Sequence, residues 1–171
     1  RIAHLLKFAK EEDYVFALSE AMKPEYDEIH KAGIVLQVDC PDLAMTRQMM
    51  MDESLEEFRD RARVNVEALN RATADIPPED MRLHLCWGNY EGPHHHDVAL
   101  RDIIDIVFEA RPAAISFEAA NPRHEHEWNV FEDVKLPEGK VLIPGVLDST
   151  TNYIEHPELV AQRLVRLARL V

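Results

Sequence analysis

Apolar and polar positions along the chain repeat with two periods that alternate. From Tyr14 to Lys31 apolar residues recur at Ala17, Leu18, Ala21, Met22, Tyr26 and Ile29, the spacing of a helix in which Pro24 is a kink or a restart. Gly33 stands where such a helix would end. Ile34 to Val38 is a nearly continuous apolar run closing on Asp39, the composition of a strand buried on both sides. Ser54 with Glu57 reads as a capping box, opening a helix with Leu55, Phe58, Ala62, Val66 and Leu69 on one face and stopping before Pro77 and Pro78. A second strand is expected in Leu83 to Tyr90, then a helix through Leu100, Ile103, Ile104, Val107 and Phe108, closed by Pro112. Ala113 to Phe117 predicts a third strand ending in Glu118, and Val141 to Leu147 a fourth ending in Asp148. A last helix is expected from Pro157 to Leu170. Strand and helix alternating in this way predict an α/β fold whose parallel strands are joined by right-handed crossovers.

Parity within the strands separates two faces. Gln37 and Asp39, His84 and Cys86, and Ser116 and Glu118 fall on one face of their strands, whereas Leu36, Val38, Leu83, Leu85, Ile115 and Phe117 fall on the other. One side of the sheet is therefore expected to pack on helices and the other to carry polar groups near the C-terminal strand ends. In a closed β/α barrel that side is the mouth where active sites lie. An imidazole and a thiol side by side are ligands of the kind Zn²⁺ takes, and Glu118 from the next strand can stand ~5 Å away in the lateral direction. The plainer alternatives are a half-buried strand that carries His and Cys, and a Glu118 that pairs with Arg123 or caps a helix.

The remaining loops carry weaker signals. Residues 40–52 read as a long loop, in which Met49, Met50 and Met51 suggest adaptable packing. His94, His95 and His96 point in different directions as neighbours must, and so read as solvated surface or as a loop touching substrate.

Composition narrows the setting. A chain of 171 residues with 46% hydrophobic and 30% charged residues has the make-up of a globular domain with a real core. A formal charge of -13, with no basic stripe, argues against a nucleic-acid partner. No apolar run approaches the ~20 residues of a membrane span, and residues 1–10 mix charge with a short apolar patch rather than forming a signal peptide. Cys40 and Cys86 are too few for a disulfide scaffold, and a working thiolate suits the cytoplasm.

Taken together, Gln37-Val38-Asp39-Cys40-Pro41, His84-Leu85-Cys86, Ile115-Ser116-Phe117-Glu118 and Gly145-Val146-Leu147-Asp148 resemble, in order and approximate separation, the C-terminal catalytic barrel of the cobalamin-independent methionine synthase family. The resemblance runs from about residue 13 to the end. It implies a TIM (β/α)8 barrel of which this chain holds about four strands. It also implies a zinc site of His84, Cys86 and Glu118 that binds a thiol acceptor such as homocysteine for methylation, as in methionine biosynthesis. Asp39 matches the position that contacts the acceptor's amino group, with Gln37 and Ser116 beside it as substrate-binding candidates, and Asp39 and Asp148 are the catalytic candidates. A further family cysteine falls beyond Val171. Two positions depart from the pattern. Thr150 occupies the place of a histidine in the folate-using synthases, and Cys40 that of an acid, which leaves the methyl donor open between a folate and another alkyl carrier.

Two other functions follow from the same residues. The metal could activate water in a hydrolase, although a thiolate ligand lowers its Lewis acidity. The chain could also be a catalytically incomplete barrel domain. It opens on Arg1 rather than Met. The single domain spanning residues 1–171 is therefore expected to be incomplete at both ends, either part of a longer polypeptide or completed by another chain.

Overall fold

The computed structural model describes residues 10–89 and 92–171. The lead-in before Lys10 and the expected strand end at Tyr90 lie outside them. Four strands, β1 (Leu36–Cys40), β2 (Met81–Leu85), β3 (Ala114–Glu118) and β4 (Val141–Gly145), form one parallel sheet in the order β1-β2-β3-β4. The helices between and around them are α1 (Glu11–Lys31), α2 (Leu55–Ala72), α3 (Ile104–Phe108), α4 (Val130–Asp133) and α5 (Pro157–Ala168). The α/β class and the parallel pairing agree with the periodicity of the sequence.

The local signals act as their chemistry requires. Pro24 sits inside α1 without ending it. Gly33, at φ 75°, turns the chain out of α1, its N–H donating to the His30 carbonyl at 2.8 Å. The capping box is formed at α2, where the Ser54 hydroxyl accepts from the Glu57 N–H and the Glu57 carboxylate accepts from the Ser54 N–H at 2.8 Å. Apolar residues of both the helices and the inner sheet face fill the core: Phe58, Ala62 and Val66 of α2 meet Leu83, Leu85, Ile115 and Phe117, all buried.

Several bounds differ from the expectation. β1 begins at Leu36 rather than Ile34, and it is an edge strand, not one buried on both sides. Ile34 and Val35 are exposed: among the described residues β1 has a strand neighbour only in β2, and an apolar run reads alike at an edge and in a sheet centre. The helix expected through Leu100 is split into a 3-10 turn at Leu100–Asp102 and the short α3. β2 stops at Leu85, which leaves Cys86 just past its end, and β4 stops at Gly145, which leaves Asp148 in the following turn. Met49 and Met51 are exposed rather than packed.

Candidate metal centre

The register of the sheet sets the site. Asp39 of β1 pairs with His84 of β2, and His84 with Ser116 of β3, so three polar side chains share one row on the face away from the helices. Burial alternates as parity requires: Leu83 and Leu85 are buried, while His84 and Cys86 are half-buried and Asp39 is exposed.

Ligand atoms of Asp39, His84 and Cys86 all lie within 4.8 Å of one another. Among the described residues no other group of His, Cys, Asp or Glu side chains converges in this way. Imidazole nitrogen, thiolate sulfur and carboxylate oxygen are together a donor set that suits zinc. Ser116 supports the imidazole, its Oγ 3.4 Å from His84 Nδ1. A bond donated by Nδ1 fixes the tautomer whose Nε2 lone pair is free to ligate.

Cys86 is held from several sides. Its carbonyl accepts from the Met45 N–H at 3.1 Å, and its Sγ accepts from the Gly88 N–H at 3.3 Å. Burial pushes the Cys86 thiol up, and the Asp39 and Glu118 charges push the same way, against the Gly88 N–H. Both carboxylates therefore bear on this sulfur, and a cation there would oppose their field and favour the thiolate.

The other expected site residues are placed as follows. Glu118 does not join the group. Its carboxylate accepts a hydrogen bond from Asn121 Nδ2 and lies 3.9 Å from Arg123 Nη2. Asp39, expected to contact substrate, stands among the candidate ligands. Gln37 is exposed on the same face of β1. Asp148 lies in the turn beyond β4, where its Oδ1 accepts from both the N–H and the hydroxyl of Thr150, at 2.9 and 2.7 Å. Cys40 is buried, and burial raises its thiol pKa well above the usual range.

Sequence reasoning missed a second polar cluster. His94 Nδ1 lies 2.9 and 3.0 Å from the two Asp97 oxygens, Asp97 Oδ2 is 3.1 Å from His124 Nε2, and His124 Nδ1 is 2.8 Å from Glu127 Oε2. His94, expected in solvent or in a substrate loop, has a buried imidazole, whereas His95 and His96 are exposed. The available signal was the His and acid spaced three apart, His94 with Asp97 and His124 with Glu127, since an i, i+3 pair on a turn can share a face.

A cleft of about 640 Å³ runs between α1, α2 and the free edge of β1, lined by Tyr26, Val38, Asp39, Asp42, Arg61 and Asn65 among others. It reaches the metal group at Asp39, while His84 and Cys86 do not line it. No helix among the described residues is long and apolar enough to cross a membrane. No protein-family model matches the chain, and comparison with curated proteins and with solved structures finds no match.

Proposed function

We propose that the chain belongs to a zinc-dependent transferase of the cobalamin-independent methionine synthase type, which moves a methyl or related alkyl group to a thiol acceptor such as homocysteine. The observation that carries this reading is the meeting of Asp39, His84 and Cys86 at the C-terminal ends of adjacent parallel strands. In this reading the four strands are a sector of a TIM barrel, completed by further polypeptide or by another chain, and the polar face is its mouth.

His84 and Cys86 would hold the ion together with a carboxylate, Asp39 being the one already gathered and Glu118 the one the family resemblance implies. When bound, zinc would supply the Lewis acidity that turns a protonated thiol, with an ordinary pKa near ~8.5, into a thiolate nucleophile at neutral pH. Ser116 orients His84, and Gln37, two residues before Asp39 on the same face of β1, offers an amide to the acceptor. Asp148, fixed by Thr150, is the remaining acid of the motif set, and the methyl donor is a folate or another alkyl carrier.

The test is metal content. Protein prepared without chelator is expected to carry about one zinc per chain, and His84→Ala and Cys86→Ser to carry less than a tenth of that. Equal zinc in all three proteins would defeat the assignment. Zinc-edge spectroscopy with added homocysteine is expected to show one more sulfur neighbour, whereas an unchanged spectrum would favour water as the exchangeable ligand and a hydrolase.

A further inference from the structure

We propose that His124 is a positioning residue for Cys86: clamped between Asp97 and Glu127, it fixes the Trp87 ring and with it the backbone that presents the Cys86 thiol. The inference deepens the metal reading and rests on it where zinc affinity is the readout.

The His124 ring is almost wholly buried and uses both nitrogens on carboxylates, Nε2 toward Asp97 at 3.1 Å and Nδ1 toward Glu127 at 2.8 Å. Carboxylates only accept, so both nitrogens must donate, and a neutral imidazole has one N–H to give. His124 is therefore an imidazolium between two anions. Burial alone would lower its pKa, but the hydrogen bonds and charges of Asp97 and Glu127 outweigh that and raise it to about 9. Because its nitrogens lie on opposite edges of the ring, one ion cannot gather both carboxylates around it, and the cluster is a clamp rather than a second metal site.

The clamp joins two loops that each leave a site strand. Asp97 belongs to the segment after β2, and Glu127, whose Oε1 accepts from the Leu100 N–H at 2.6 Å, belongs to the segment after β3. His94 donates to Asp97 from within the same loop. The face of the His124 ring lies against Trp87, centroids 4.4 Å apart, and Trp87 Nε1 donates to the Val98 carbonyl at 2.8 Å. Trp87 follows Cys86 directly, so a shift of its backbone would strain the peptide whose carbonyl accepts from the Met45 N–H. On the other side the backbone N–H of His124 donates to Asn121 Oδ1 at 2.9 Å, and Asn121 Nδ2 donates to Glu118. One residue, by its ring on one side and its backbone N–H on the other, thus stands between the supports of Cys86 and of Glu118.

Zinc affinity, measured at pH 7 by competition with a chromophoric chelator on folded protein, tests this. His124→Gln is expected to weaken zinc binding at least ~10-fold, the usual effect of removing an outer support of a metal ligand. Glu127→Gln, which keeps the shape of the clamp, is expected to weaken it several-fold and serves if His124→Gln does not fold. Val66→Ala, a core truncation in α2, is expected to lower stability and leave affinity within about twofold. Unchanged affinity in both clamp variants, or an equal loss in Val66→Ala, would overturn the proposal. A wild type that takes no zinc would sink the metal reading alone. Alkylation of Cys86 by iodoacetamide in metal-free Cys40→Ser protein would then decide, with a several-fold rate change expected in His124→Gln and equal rates overturning the inference.

Discussion

Asp39 and Glu118 flank the same thiol from neighbouring strands, and the third ligand is contested between them. Asp39 is free to approach His84 and Cys86, while the Glu118 carboxylate is held back by Asn121. Losing Asp39 removes a converged donor, whereas recruiting Glu118 draws on a carboxylate that Asn121 holds at Oε2, a bond whose loss would cost roughly 1.5–3 kcal/mol net for a charged acceptor. We therefore expect Asp39→Asn to lower zinc affinity ~10-fold or more and Glu118→Gln to lower it less, both read by chelator competition. The reverse order would give the ligand set that the family resemblance implies and return Asp39 to the acceptor. Parity made this row legible beforehand, because side chains two apart on a strand must share a face. It could not rank the two acids, because that depends on Asn121, three residues beyond Glu118 in a loop with no period.

At the level of elements, the turn after β2 is where the site is most easily damaged. Gly88 adopts φ 86°, and a Cβ there would stand 2.8 Å from Met45 Sδ. Its N–H is also the donor to Cys86 Sγ. Gly88→Ala is expected to cost roughly 1–3 kcal/mol in a urea titration, mostly from the left-handed backbone, and Met45→Ala should rescue only the smaller steric part. Full rescue would show that the contact, not the dihedral, is decisive. The two loops clamped by His124 carry a pH dependence as well. The folded pKa of about 9 lies above an unfolded value near ~6.5, so the clamp's contribution is complete below pH ~6.5 and is lost as pH rises through about 9. The thermal midpoints of wild type and His124→Gln should then converge between pH 6.5 and 10, and a constant gap across that window would count against a charged clamp. None of this was visible in the His94 to Asp97 segment alone. Only tertiary folding sets His94, Asp97, His124 and Glu127 side by side, across 27 residues in the case of Asp97 and His124.

For the whole molecule, the sequence made strand order, parallel pairing and helix placement legible, since the capping box at Ser54, the Gly33 turn and the two periods all point to one α/β arrangement. It did not show that β1 would lie at an edge, as an apolar run carries no record of its neighbours. The edges themselves carry a prediction. Among the described residues, β1 and β4 each have a strand on one side only, so each leaves a row of backbone N–H and C=O groups open to pairing. Apolar side chains accompany these edges: Ile34 and Val35 are 59% and 47% exposed before β1, Val141 is 55% exposed on β4, and Leu147 and Ile154 are exposed beyond it. The cleft beside β1 adds Val15, Leu18 and Met22 of α1 to the apolar lining, Leu18 exposed. An acidic net charge of -13 opposes association at long range, but it is spread along the chain and screened beyond about 8 Å at physiological salt. Edge pairing and apolar contact act at shorter range than that. The 171-residue chain is therefore expected to associate, giving by light scattering a mass that is a multiple of one chain and rises with concentration. Val35→Lys, a charge beside the β1 edge, should shift the distribution toward the single chain. A wild type that stays monodisperse at the mass of one chain and unfolds cooperatively would show that the four-stranded sheet is self-sufficient and would remove the case for a barrel completed from outside.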